Sequence, residues 1–247
     1  MKKMLLAVAL VAALLPLSAA AQNSKFSPNA ISPKNIGPAA TPCAGCLFYG
    51  GDWDTAASNW VAFGNGNEYD AGTVYNYSNY VPFVVPSGQT WTVTGLFTNN
   101  IFYNYFGGSS YKFQQNDTAW GISTGVSTGN GGTDFASGTG HGTAATTGRN
   151  YGGFYPEYTV TWKTLSPLTL AAGSYWLTVA PSCTASSCEL FFYNTDTTSL
   201  TNHVGHEPKC QSYQNGPTAG LNYVNDCTQG YAVSGEAYMS AGVLGHK

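Results

Sequence analysis

Four acidic residues lie close together in the sequence and could bind a metal ion. Asp52 and Asp54 are separated by one residue, and Glu68 and Asp70 follow in a segment rich in Gly and Asn. Carboxylates and loop carbonyls are the ligands that Ca²⁺ favours, so these four side chains are a candidate calcium site. The alternative is that they are solvated charges whose side chains cap turns.

Ser123 occupies the central position of a G-x-S-x-G sequence, Gly121 to Gly125. In hydrolases this pattern holds a nucleophilic serine on a strained turn between a strand and a helix. A segment rich in Gly, Ser and Thr follows here instead of a helix. A chance match is therefore favoured, and the hydrolase alternative would need a histidine base from His141, His203 or His206.

His203, His206 and Glu207 form a second polar group, with the sequence HVGHEP. This order differs from the H-E-x-x-H of zinc proteases, and the Gly and Pro oppose a helix. A surface metal site with a distant third ligand is one interpretation, and a polar loop is the other.

The chain is rich in aromatic residues, with 17 Tyr and 6 Trp. Flat aromatic rings suit the apolar faces of sugars and also suit protein interfaces. Strand propensity alone would also enrich tyrosine on sheet faces. The residues proposed to bind a ligand are Tyr69, Tyr75, Tyr77, Tyr80, Tyr103 and Tyr105.

The N-terminus has the pattern of a cleaved secretory signal peptide over residues 1–21. Lys2 and Lys3 precede an apolar run, and Ala19 to Ala21 form a small-residue cleavage site. Residues 22–42 are a Pro-rich linker, and residues 43–247 are expected to form one domain. We therefore predict a secreted protein, extracellular or periplasmic, whose mature chain has no transmembrane segment.

Charged residues make up only 9% of the chain, and the formal net charge is −3. No basic patch is present, so nucleic acid is not expected as a partner. Solubility has to come from neutral polar side chains, a composition that favours strands and loops over surface helices.

Six cysteines in an exported chain predict disulfide bonds. Six cysteines allow 15 pairings, and the sequence cannot select one. Local closures are favoured, and a redox role for the C-x-x-C at Cys43 lacks the required βαβ context. The expected pairs are Cys43–Cys46, Cys183–Cys188 and Cys210–Cys227.

The elements that would position these side chains are strands. Within Tyr158 to Cys183, Val160 and Trp162 share one face, and Tyr175, Leu177 and Val179 share another. This period of two, repeated in eight to ten short segments, predicts an all-β protein: an antiparallel two-sheet β-sandwich, jelly-roll-like, with disulfide-clipped loops.

Several turns are expected from local signals. Ser166-Pro167 and Ala172-Gly173 should connect two paired strands, and Asn99-Asn100 should end another. Residues 126–150 are almost entirely Gly, Ser, Thr and Ala, which predicts a long loop, with an irregular hairpin at the sandwich edge as the weaker alternative.

Two segments carry a resemblance to known proteins: VVPSGQTWTVT, from Val84 to Thr94, and LTLAAGSYWLTV, from Leu168 to Val179. The pattern is similar to that of exported bacterial β-sandwich proteins with a "VPxGxTWxVT... LxLxAGxYWLxV" pair of strands. The resemblance implies the fold and the export. It carries over no catalytic residue, because the family has no established activity.

The favoured function is a secreted, non-catalytic binding or structural module, with an extracellular glycan or a cell-envelope component as its partner. One alternative is a secreted hydrolase of esterase or glycosidase type, using Ser123 or carboxylates such as Asp52 and Glu68. The other is a self-assembling surface or matrix protein. Ca²⁺ is the cofactor expected at the acidic group.

Overall fold

The computed structural model describes residues 43–52, 67, 69, 77–102, 113–151, 155–183, 192–194, 196–197, 202–208, 210–216, 221–225 and 238–247. Every regular element in these ranges is a strand, which confirms the all-β prediction. None of the described residues belongs to a helix that could cross a membrane.

Fourteen strands are described, in the following order: β1 Cys46–Tyr49, β2 Ser78–Val85, β3 Trp91–Phe102, β4 Phe113–Thr124, β5 Thr133–Gly140, β6 Gly142–Tyr151, β7 Tyr155–Leu170, β8 Gly173–Cys183, β9 Phe192–Asn194, β10 Asp196–Thr197, β11 Tyr213–Gly216, β12 Leu221–Asn225, β13 Tyr238–Met239 and β14 Ala241–His246.

The strands form two antiparallel sheets that pack face to face. The first sheet has the order β1-β14-β3-β7-β6, with β9 also pairing with β3, and the second has the order β12-β11-β2-β8-β4-β5. A small separate pair joins β10 to β13. The chain passes between the sheets repeatedly, for example from β2 to β3 and from β7 to β8. The two-sheet architecture is confirmed, and the jelly-roll order stays a prediction.

The core lies between the sheets and is built from the alternating rows that the sequence predicts. Trp91, Trp162 and Tyr175 are 2%, 5% and 8% exposed, which confirms that all three point inward. Phe83 is the centre of the aromatic packing, since its ring lies 6.0 Å from Trp91, 5.6 Å from Tyr175 and 5.7 Å from Phe48. Rows of this kind bury the large apolar area that drives folding.

The predicted hairpin over residues 158–183 is wrong, because β7 and β8 lie in different sheets. The proline does not end β7 either. Val93 pairs with Leu168 and Gly95 with Lys163, so residues 164–167 bulge out of the ladder. A bulge accommodates Pro167, which has no N–H to donate to a neighbouring strand.

The predicted turn at Asn99-Asn100 is also wrong, since β3 continues through both residues. Their amides are buried and bonded within the structure. Asn99 Nδ2 donates to Ser240 Oγ at 2.8 Å, and Asn100 Nδ2 donates to the Thr98 carbonyl at 3.0 Å. With their side chains satisfied in the sheet, the asparagines lose their usual reason to form a turn.

The predicted long loop over residues 126–150 is largely wrong, because it contains β5 and most of β6. The two strands form outer edges of different sheets and do not pair with each other. Their own side chains contribute little apolar area, but the tryptophans of neighbouring strands cover their glycines. Gly138 lies under Trp120, and Gly140 lies against Trp162.

Candidate functional site

The outer face of the second sheet is concave, because the turn between β4 and β5 reaches across to β12 at the opposite edge. The Gly129 N–H donates to the Tyr223 carbonyl at 3.2 Å. A Cβ placed on Gly131 would lie 2.3 Å from Tyr223 Oη, so a larger residue there would displace the Tyr223 ring. The two edges of the sheet therefore curl toward each other over its outer face.

Apolar side chains fill the floor of this concave face. Trp176 is 7% exposed and Val126 is 3% exposed, and Pro82 is also buried. The Trp176 indole N–H donates to the Gln211 carbonyl at 2.8 Å. The floor is thus a small second cluster with its polar group satisfied, and it gives the face above it a rigid base.

Tyr80 and Tyr223 stand together above this floor. Their ring centroids are 5.2 Å apart and the planes are inclined by 58°. Burial raises the pKa of Tyr80 above its ordinary value, and a hydrogen bond with Tyr223 raises it further. Tyr223 has a φ of 46°, a left-handed conformation that is rare for an aromatic residue and that occurs often at functional sites.

Asp134, on β5, supplies an exposed carboxylate at the same face. Ser123 Oγ donates to one of its oxygens at 3.1 Å, and Ser137 Oγ donates to the other at 3.2 Å. The charge of Asp134 also contributes to the raised pKa of Tyr80. Two hydroxyls thus hold the carboxylate in place, close enough for its charge to act on Tyr80.

These residues make up the candidate site, which we call the tyrosine site: Tyr80, Ser123, Asp134, Ser137 and Tyr223. It offers aromatic faces, hydroxyl donors and acceptors, and one charged acceptor. Such a set can hold a neutral, polyhydroxylated molecule by stacking and hydrogen bonds.

The structure places only part of the predicted tyrosine set. Tyr80 is in the site, Tyr77 precedes β2, and the Tyr69 N–H donates to the Pro181 carbonyl at 2.9 Å, near the other end of β8. Tyr75, Tyr103 and Tyr105 lie outside the described residues. Sequence reasoning missed Tyr223 and Asp134, because the curl of the sheet brings them to Tyr80.

Of the proposed calcium ligands, Asp54, Glu68 and Asp70 lie outside the described residues. Asp52 is buried, and its oxygens accept hydrogen bonds from Tyr49 Oη and Asn202 Nδ2, both at 2.5 Å. The described residues contain no group of three or more His, Cys, Asp or Glu side chains placed to hold a metal ion. The calcium site stays a prediction.

Asp52 instead belongs to a buried ionic network on the outer face of the first sheet. Arg149 Nη1 lies 3.1 Å from Asp52 Oδ1, and Arg149 Nε donates to Glu157 Oε2. Burial acts to lower the pKa of Arg149, but Glu157, then Tyr49 and Asp52, raise it overall. The guanidinium thus stays charged between two carboxylates, and neither carboxylate is open to a substrate.

Ser123 does not have the surroundings of a catalytic serine. It lies inside β4 and is 2% exposed, and the strand is followed by a turn at Gly125. The strand, sharp turn and helix of a nucleophile elbow are therefore missing at this position. The G-x-S-x-G match is explained by a Gly-rich chain, and Ser123 acts to orient Asp134.

The cysteine predictions are confirmed in part. Cys43 and Cys46 form a disulfide bond with a Cα–Cα distance of 5.4 Å, and Cys210 is also disulfide-bonded. Cys188 and Cys227 lie outside the described residues, so their pairings stay predictions.

Comparison with protein-family models, with curated proteins and with solved structures finds no match to this chain.

Proposed function

We propose that this protein is an exported, non-catalytic module that binds a glycan of the extracellular space or the cell envelope at the tyrosine site. The carrying observation is that the Tyr80 and Tyr223 rings, 5.2 Å apart, share a face with an exposed carboxylate that two serine hydroxyls orient and whose charge acts on Tyr80. Sugars present both apolar C–H faces and hydroxyl groups, and this site complements both.

The support around the site favours binding. The turn of β4–β5 is tied to β12 through Gly129 and Tyr223, and Trp176 is fixed beneath it. A site that is ordered before the ligand arrives loses less conformational entropy on binding. The low charge of the chain also suits a neutral polysaccharide more than a polyanion.

Export is proposed from the N-terminal signal pattern, with its basic start and its Ala-rich cleavage site. Disulfide bonds at Cys43–Cys46 and at Cys210 fit an oxidising compartment. In that compartment the accessible glycans are those of the cell envelope and of extracellular polysaccharides.

The test is binding of the purified mature protein to a glycan array and to insoluble envelope polysaccharides. Asp134→Asn should weaken retention by about 10-fold or more, since a hydrogen bond to a charged group contributes roughly 1.5–3 kcal/mol. Tyr223→Ala removes one of the two aromatic rings and should weaken retention by a similar factor.

Phe135→Ala is the matched control, because Phe135 is adjacent in sequence but packs against Tyr175 on the other face of β5. It should bind like the wild type. Retention of no glycan by the wild type, or full retention by both site variants, would refute the proposed function.

A further inference from the structure

The outer edge of β5 is the open edge of the second sheet. β5 pairs with β4 on one side, and no described strand pairs with its other side. Thr133, Asp134, Phe135, Ser137, Gly138 and Thr139 are all exposed. From Ala136 to Gly140 the strand is regular, facing Ile122 to Thr118 with no register shift. Such an edge presents unpaired N–H and C=O groups to solvent.

Two other edges of the described sandwich are bonded to further segments. At β1, Tyr49 and Val204 exchange two backbone hydrogen bonds of 2.8 and 2.9 Å. At β12, the Tyr223 carbonyl accepts from Gly129. β6 pairs regularly with β7 from Gly142 to Thr146, and a register shift follows, so its outer edge is regular over that stretch only.

The free part of β7 carries the devices that natural proteins use against edge pairing. Lys163 is exposed, and the bulge over residues 164–167 contains Pro167. In contrast, residues 136–140 of β5 have no Lys, no Pro and no bulge. Phe135 forms the only irregularity, a one-residue bulge at the start of the strand.

We propose that β5 pairs antiparallel with β5 of a second copy of this chain, which joins the two second sheets across a twofold axis. In a regular antiparallel pair, two opposed residues either both form the hydrogen bonds between the strands or both do not. In a symmetric pair of identical strands, the numbers of two opposed residues are therefore both odd or both even. A dyad at Gly138 keeps the pairing within the regular stretch, with Ala136 opposite Gly140 and Ser137 opposite Thr139 of the copy.

The strand is self-complementary in this register. The residues that meet are small, so neither sheet has to separate to admit a bulky side chain. Asp134 is the only charged residue of β5, and a dyad at Gly138 leaves it outside the five paired residues and far from its own copy. The pairing therefore brings no like charges together, a condition that antiparallel ladders need.

The contact is small and the association is correspondingly weak. Stable interfaces bury about 800 Å² per partner, more than one short strand offers. The dimer should therefore form only as the concentration rises. This inference goes beyond glycan binding, because the pairing uses the backbone edge of β5, and its test variant Thr139→Lys lies outside the tyrosine site.

Sedimentation velocity of the mature protein, from about ten micromolar to about one millimolar, tests the proposal. The weight-average mass of the wild type should rise toward that of a dimer. Thr139→Lys, at an exposed β5 position, should remain a monomer over the same range. Ser87→Lys adds the same charge in the turn after β2 and should associate like the wild type.

Hydrogen exchange supplies a second readout. The amides of residues 136–140 that point outward should exchange more slowly in the concentrated wild type than in the dilute sample, and Thr139→Lys should abolish this difference. A wild type that stays monomeric, a Thr139→Lys variant that associates equally well, or a Ser87→Lys variant that loses association to the same degree would each overturn the proposal.

Discussion

The indole rings of Trp120 and Trp162 stack between the two sheets, with centroids 3.7 Å apart and planes inclined by 15°. They close the side of the sandwich where the chain passes from β5 to β6. Gly140 and Gly142 flank this crossing. A Cβ on Gly140 would lie 3.0 Å from Trp162 Nε1, and one on Gly142 would lie 2.2 Å from Thr118 Oγ1. A larger residue would therefore require Trp162 to shift at Gly140 or Thr118 to shift at Gly142.

Gly142→Ala should therefore destabilise the protein. The added methyl group overlaps the buried Thr118 side chain, and overpacking of this kind costs about 1–3 kcal/mol. Urea unfolding of the mature protein measures the loss as a lower midpoint at constant slope. Thr143→Ala, at the exposed neighbouring position, is the control and should change little. Equal midpoints for Gly142→Ala and wild type would contradict the predicted overlap.

Arg149→Met should be more damaging, because it leaves Asp52 and Glu157 buried without their cation. Arg149 is 2% exposed and Glu157 is fully buried. Removing one partner of a buried ion pair typically costs about 3–5 kcal/mol. The double variant Arg149→Met with Glu157→Gln should lose less than the sum of the two single variants, as unfolding free energies would show. Additive losses would mean that the two side chains are not coupled.

His203 predicts a loss of stability in mild acid. Burial lowers the pKa of His203 below its ordinary value of 6.5, and the neighbouring His206 lowers it further. The unfolded chain then binds more protons than the folded protein as the pH falls below 6.5, so the free energy of unfolding decreases there.

His203→Gln should weaken this acid dependence, measured as the midpoint of urea unfolding at a series of pH values. His141→Gln, at an exposed position, serves as the control. An unchanged pH profile in His203→Gln would show that another group causes the acid dependence.

The core could be predicted from the sequence, because each core strand carries its own pattern. Val160 and Trp162 alternate with Thr159 and Thr161, and burial follows the same alternation. A period of two fixes which face turns inward before any tertiary contact is known. The same period does not show which strands are neighbours in a sheet. It therefore could not show that β7 and β8 lie in different sheets.

β5, β6 and the middle of β3 could not be predicted, because their stability comes from other segments. The glycines of β5 gain their packing from Trp120, and Asn99 gains its partners from Tyr49, Thr159 and Ser240. Local composition indicates a loop or a turn at these positions. The tertiary contacts that override it join residues far apart in sequence.

The candidate site was predictable only in part, for a related reason. Tyr80 belongs to the set of tyrosines that the sequence proposes for ligand binding, and it lies half-buried on β2. Tyr223 and Asp134 come from opposite edges of the second sheet and meet Tyr80 only because the sheet curls. A sequence pattern specifies the faces of a strand, while curl depends on how the hairpins pack.

Tyr80 finally predicts a loss of stability in alkali. Burial and the contact with Tyr223 raise the pKa of Tyr80 above its ordinary value of 10.0. The unfolded chain therefore releases this proton first as the pH rises above 10.0, and the free energy of unfolding falls, by at most about 1.4 kcal/mol per pH unit for one group. Tyr49 has a raised pKa for similar reasons and adds to the slope.

Tyr80→Phe should make the decline between about pH 9 and pH 11 shallower, and Tyr213→Phe, on the adjacent strand, should not. An identical slope in Tyr80→Phe and wild type would place the Tyr80 hydroxyl in water and remove one support of the tyrosine site.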